Sequence, residues 1–276
     1  MFHLNSHLKA LARSVSFATI VVVSISACNS SSSELEKISV TLSGLQENPS
    51  VAGNRAGTGN IEVNTETGEI SGSVVVNNLT GTATATHIHT GDAGKNGGVV
   101  IALTQDPSDS SKFNVPNGST LNAVQLEKLL MAGLYLNVHT QQNPGGEVRG
   151  QIIPDNYTVA RVTLSAAEEV PANTATTTGI AYLTVENNND HKVRSHMKLI
   201  DLDGATGAHI HAGTMGTNGD VVLGFVKDID DTSMWSLPNN SKLSKTSYDA
   251  FTKDGLYLNV HTPTFPAGEV RGQIKP

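Results

Sequence analysis

Three histidines, twice over, are the residues of this chain best placed for chemistry. His87-Ile88-His89 is followed 50 residues later by His139, and the set returns at an offset of 122 as His209-Ile210-His211 and His261. On a β-strand, residues i and i+2 share a face, so the two imidazoles of a His-x-His can reach one ion. A third imidazole from another strand completes a three-nitrogen site, a ligand set that suits Zn²⁺ or Cu²⁺ and leaves a coordination position open. Six of the chain's ten histidines belong to these triplets. Of the rest, His191 and His196 occur only in the second copy and are expected at the surface. The alternative reading makes the triplets buried structural histidines or hydrogen-bonding anchors for loops.

The words around the third histidine repeat too. Gly133-Leu134-Tyr135-Leu136-Asn137-Val138-His139 returns as Gly255-Leu256-Tyr257-Leu258-Asn259-Val260-His261. Leu134, Leu136 and Val138 alternate with Tyr135, Asn137 and His139, which sends the first set to the core and the second to the histidine side. Tyr135, Asn137, Tyr257 and Asn259 are therefore expected to line the sites, with packing as the alternative role for the tyrosine rings. A second repeated word, Gly146-Glu147-Val148-Arg149-Gly150-Gln151-Ile152, returns as Gly268 to Ile274. Glu147 shares a face with Arg149, and Glu269 with Arg271. The carboxylate would orient an imidazole and the arginine would hold the carboxylate; otherwise each pair is a surface ion pair of little worth. Glu47 and Glu169, each just before a proline turn, are either ligands or loop residues. Asp92 is set aside as a ligand because Thr214 stands at its place in the second copy.

The elements that must position these groups read as strands. Segments 38–45, 59–64, 70–77, 84–90, 98–104, 133–139 and 147–153 are rich in Val, Ile and Thr and are separated by Gly, Asn and Pro. One helix per copy is expected, capped in the first by Ser119 or Thr120, carrying Leu126, Leu129 and Leu130 on one face and ending at Gly133. Seven short strands in about 115 residues predict an all-β antiparallel sandwich or barrel. The units run over 38–153 and 160–276, joined by the polar segment from Pro154 to Thr158.

The first residues look like an address rather than a fold. Lys9 and Arg13 precede an apolar run from Val15 to Ile25, too short to span a bilayer. Ile25-Ser26-Ala27-Cys28 resembles a bacterial lipobox, which implies cleavage of a signal peptide over 1–27 and acylation of Cys28. Residues 28–37 are expected to be a flexible tether. Cys28 is the single cysteine, so no intrachain disulfide can form and no thiolate is left for a metal. The net charge of −7 becomes about −9 once Lys9 and Arg13 are removed, an acidic balance that argues against nucleic acid as a partner. The expected membrane attachment is the lipid. The address is the bacterial cell envelope, at the outer membrane and facing the periplasm or the exterior.

His-Ile-His-x-Gly-x-x-Gly-x-Asn-Gly, Gly-Leu-Tyr-Leu-Asn-Val-His-Thr and Pro-x-Gly-Glu-Val-Arg-Gly-Gln-Ile together resemble the CHRD domain, first described in chordin. Both copies carry all three motifs. The resemblance implies an immunoglobulin-like β fold and, in the chordin setting, extracellular ligand binding; it does not imply a defined activity or ligand. The His-x-His on a β-framework is also similar to copper–zinc superoxide dismutase. Each unit lacks that enzyme's fourth copper histidine, its bridging histidine and its disulfide, so dismutation is not expected. The reading from sequence is therefore two tandem immunoglobulin-like or superoxide-dismutase-like sandwich domains, each with one short helix and one copper or zinc ion. A non-catalytic interaction or adhesion module is the alternative, and a metal-dependent enzyme stands behind both.

Overall fold

A computed structural model describes residues 34–202 and 204–276. The segment expected to be a signal peptide, and Cys28, lie outside the described residues. The first domain contains β1 (Leu35–Ser43), β2 (Ala56–Asn64), β3 (Ile70–Asn77), β4 (Ala83–Thr90), β5 (Val99–Ala102), β6 (Thr104–Asp106), β7 (Asp109–Asn114), α1 (Ala123–Leu130), β8 (Leu134–Thr140) and β9 (Val148–Ile152). The second repeats it as β10 (Tyr157–Ser165), β11 (Thr178–Glu186), β12 (Val193–Ile200), β13 (Gly207–Ala212), β14 (Val221–Gly224), β15 (Val226–Lys227), β16 (Met234–Ser236), α2 (Lys245–Phe251), β17 (Leu256–His261) and β18 (Val270–Ile274). β1 begins at Leu35, inside the segment expected to be a tether, and pairs with β2 from its first residue.

In each domain the strands form one nine-stranded antiparallel ladder, in the order β5-β4-β8-β9-β1-β2-β3-β7-β6 and β14-β13-β17-β18-β10-β11-β12-β16-β15. The ladder curls so that its inner face packs against itself. Ile38, Val40 and Leu42 of β1, Ile61 and Val63 of β2 and Leu134, Leu136 and Val138 of β8 enter one core. A Cβ on Gly59 of β2 would lie 2.7 Å from Leu136 Cδ1, so glycine there lets the two halves close. The strands at 104–114, with β15 and β16, were absent from the expected set. In the first domain the stretch (Thr104-Gln105-Asp106, Asp109-Ser110-Ser111-Lys112) is polar: β6 is the exposed edge and β7 beside it buries only Phe113, so neither hydrophobicity nor alternation announces them.

α1 starts two residues later than expected. Asn122, rather than Ser119 or Thr120, caps it: Gln125 N–H donates to Asn122 Oδ1 at 3.0 Å and Asn122 N–H donates to Gln125 Oε1 at 2.9 Å. Ser119 instead closes the preceding turn, its hydroxyl donating to Pro116 O. The helix seals the core with Leu129 and leads directly into β8.

Candidate metal centre

The central strands place the histidines by register. On β4 and β8, His89 lies opposite Tyr135, His87 opposite Asn137 and Ala85 opposite His139. Ile88 between the two histidines is fully buried in the core, so His87 and His89 take the other face. A bulge between Ile88 and His89, where β4 meets β5, turns the second imidazole relative to the first. β13 and β17 repeat the register, with a bulge between Ile210 and His211.

Each triplet converges on one point. Ligand-capable atoms of His87, His89 and His139 lie within 4.8 Å of one another, as do those of His209, His211 and His261. A metal bonded to three imidazoles at about 2.0–2.1 Å sets the nitrogens about 3.4 Å apart, within reach of modest ring rotations. The nitrogens left for it are specific. His89 Nδ1 bonds Gly97 O at 2.9 Å and His139 Nδ1 bonds Pro144 O at 3.0 Å. Those bonds put the proton on Nδ1 and leave a lone pair on Nε2 of each ring. Among the described residues, His89 Nε2, His139 Nε2 and His87 Nδ1 are buried without a hydrogen-bond partner. In the second domain His211 Nδ1 bonds Gly219 O and His261 Nδ1 bonds Pro266 O, while His209 Nδ1 and His211 Nε2 have no partner. Burial lowers His87, His89, His139, His209 and His261 from the usual 6.5, which keeps the imidazoles neutral and ready to ligate at neutral pH.

The surrounding residues divide into two groups. Tyr135 stacks on His89 at 5.1 Å between centroids and 12° between planes, and the Arg149 guanidinium carbon lies over the Tyr135 ring, 3.4 Å from its centroid. Tyr257 and Arg271 repeat the stack on His211. Arg149 donates to Lys95 O at 3.0 Å, to Asp92 O at 2.9 Å and to Gln151 Oε1 at 3.1 Å, so it holds the 91–97 loop that carries Gly97. Gln151 fastens the same loop through Gly91 O, and the helix exit through Ala132 O.

Glu147 stands apart from the imidazoles it was expected to orient. It is fully buried, accepts hydrogen bonds from Thr80 N, Thr80 Oγ1 and Thr140 Oγ1, and pairs with Arg55 Nε at 2.6 Å. Burial raises its carboxyl, but the threonine bonds outweigh that and hold it below the usual range. Glu269 accepts from Thr262, the counterpart of Thr140, and from Thr177, which stands where Arg55 does in the first domain. The orienting of imidazoles falls to backbone carbonyls, and Arg149 and Arg271 grip loop carbonyls rather than Glu147 and Glu269. The direct orienters were legible only as repeated Gly97/Gly219 and Pro144/Pro266, whose carbonyls carry no side-chain signal. Thr140 and Gln151 stood inside the repeated words and are load points that a chemistry-led reading passes over.

Asn137 and Asn259 do lie on the histidine side. Asn259 Nδ2 donates to both oxygens of Glu169, at 2.9 and 3.1 Å. Glu47 and Asn137 border the space that a Cβ on Gly146 would occupy, 2.6 Å from Glu47 Oε1 and 2.5 Å from Asn137 Oδ1. Neither glutamate belongs to a histidine cluster. Burial pushes Glu47 up to about 7 against the opposing pull of Arg149, and Glu169 up to about 7 against Arg271.

His196 corrects a further expectation. It is 7% exposed, stacked on Tyr182 at 5.7 Å, and burial pushes it down to about 4, with Lys95 acting in the same direction. His191 stacks on Tyr248 at 3.8 Å.

The CHRD domain family model matches residues 38–152 and again 160–274. The chain belongs to the CHRD family. Each CHRD domain contains one histidine triad and one histidine–tyrosine–arginine stack. No curated protein and no solved structure matches the chain.

Proposed function

We propose that this CHRD protein holds one transition-metal ion, copper or zinc, in each domain, at the cell envelope and anchored by lipid on Cys28. The observation that carries the reading is the state of the nitrogens. Buried ring nitrogens are ordinarily hydrogen-bonded, because an unpaired buried polar atom is costly. Here three nitrogens converge without partners, two of them on rings whose other nitrogen is already committed to a backbone carbonyl. An all-imidazole set without thiolate is a borderline donor set that suits Cu²⁺ and Zn²⁺ over Mg²⁺ or Ca²⁺. When bound, either ion would supply a Lewis-acidic open position. The protein's own residues orient the rings, keep them neutral and cover the site from behind with Tyr135 and Tyr257.

Equilibrium dialysis of metal-stripped protein, purified without a chelating tag, tests the reading. The expected result is two ions per chain, falling to one in the His87→Ala/His89→Ala/His139→Ala variant. Unchanged stoichiometry in that variant overturns it, and a loss of stability with no metal bound in either protein favours an interaction module with structural histidines. The lipid anchor is tested separately. Cys28→Ala is expected to move the protein from the membrane fraction to the soluble one, and an unmodified Cys28 in the mass spectrum of the native protein would remove the proposal.

A further inference from the structure

The two triads have the same residues but not the same surroundings. The loop 91–97 carries Gly97, whose carbonyl orients His89 and whose N–H donates to Tyr135 Oη at 3.2 Å. That loop is pressed against the second domain. Gly94 (φ +77°) lies directly on the Tyr182 ring, where a Cβ would fall 2.3 Å from Cε2. Asp92 meets Arg194 at 3.5 Å, and Arg194 also donates to Met131 O at 2.5 Å, just before β8. Ala93 between them is buried. The equivalent loop 213–219 of the second domain has Gly216 at φ +78° with nothing within 4 Å, Met215 exposed, and Thr214 where Asp92 stands.

We infer that Tyr182 and Arg194 of the second domain are positioning residues for the first metal site. By docking on loop 91–97 they make site 1 the tighter of the two. The inference rests on the metal reading above. Its physical basis is pre-organisation: a loop already ordered by a packed partner has less freedom to lose when the ion fixes His89, and that saved cost appears as affinity. Partners that orient a ligand from behind are worth about 10–100-fold in metal affinity. The path is short. Tyr182 touches Gly94, and three residues further Gly97 holds His89 Nδ1, while Arg149 ties Asp92 and Lys95 to the ring stacked on His89.

The test isolates each site in the full chain. Site 1 is read in a His209→Ala/His211→Ala background and site 2 in a His87→Ala/His89→Ala background, each titrated with Zn²⁺ and with Cu²⁺ against a competing chelator. Site 1 is expected to bind about tenfold tighter than site 2. Tyr182→Ala is expected to abolish that difference by weakening site 1 alone, with Arg194→Ala acting in the same direction and Tyr182→Phe, which keeps the ring, leaving it in place. In metal-free protein, Tyr182→Ala should also speed amide hydrogen exchange across 91–97 without changing 213–219. Equal affinity at the two sites, or an equal loss at both in Tyr182→Ala, overturns the inference while the metal reading stands. No ion at either site in the parent chain overturns both. Unchanged exchange over 91–97 overturns the docking argument whatever the metal does.

Discussion

At the scale of residues, protonation sets when the sites can work. Lowered histidines bind fewer protons when folded than when unfolded, so below about 6.5 their contribution to stability falls as pH falls; above that value it is fully present. Metal competes with the same protons. Metal occupancy at both triads is therefore expected to drop as pH is lowered through 6, measured as ion retained after dialysis at pH 7.5, 6.0 and 5.0. Glu47 has the opposite sign. Its folded value is raised from 4.5 to about 7, so the stability it contributes is fully present below 4.5 and is lost as pH rises through 7. Glu47→Gln removes that loss. The variant's denaturation midpoint should gain on wild type between pH 5 and pH 8, by an amount of the order of 1–3 kcal/mol from the shift of a buried carboxyl. Arg149 is a third case, 1% exposed with its fork divided among loop carbonyls and Gln151. Lysine cannot reproduce the fork, so Arg149→Lys is expected to cost about 2 kcal/mol in chemical denaturation although it keeps the charge.

At the scale of elements, the alternation of Leu134, Leu136 and Val138 made the histidine face readable, because a half-core strand records its two faces in successive residues. The face is nonetheless buried on both sides: Tyr135 and Asn137 lie under the loops that supply Gly97 and Glu47. Strand period says which residues share a face and nothing about what covers that face. The bulges at His89 and His211 were equally hidden, since an extra residue on β5 or β14 leaves no mark of its own in the sequence. Polar β6 was missed because it is the exposed edge of its sheet, and β7, paired between β3 and β6, because it buries Phe113 alone and so shows no alternation. The cap of α1 was missed by two residues because Thr120 bridges to Glu69 in the turn and leaves Asn122 as the first residue free to cap. Asn122→Ala is expected to cost about 1 kcal/mol, read as a lowered thermal midpoint with unchanged metal stoichiometry.

At the scale of the molecule, the duplication is a copy that has been edited where the copies meet. Tyr182 pairs with His196 across β11 and β12; the same register in the first domain pairs Asn60 with Ser73 across β2 and β3. The sequence displayed that difference openly, as His196 without a counterpart, but its role needed the neighbouring domain to be in view. A ring of tyrosine over histidine makes a floor for Gly94, and a serine and an asparagine do not.

The contact of loop 91–97 with β11 and β12 joins the front of one unit to the back of the next. A front-to-back contact between like units is not self-complementary; applied again and again it generates a ring or an open fibre. Neither of the two faces that this contact leaves unused repeats its residues. The forward end carries Thr214 in place of Asp92, and the rear end carries Asn60 and Ser73 in place of Tyr182 and His196. Restoring the contact with Asn60→Tyr, Ser71→Arg, Ser73→His and Thr214→Asp should give species whose sedimentation grows with concentration, while the parent chain keeps one size. The few differences that seat loop 91–97 on the second domain also keep the two outer faces from repeating that contact.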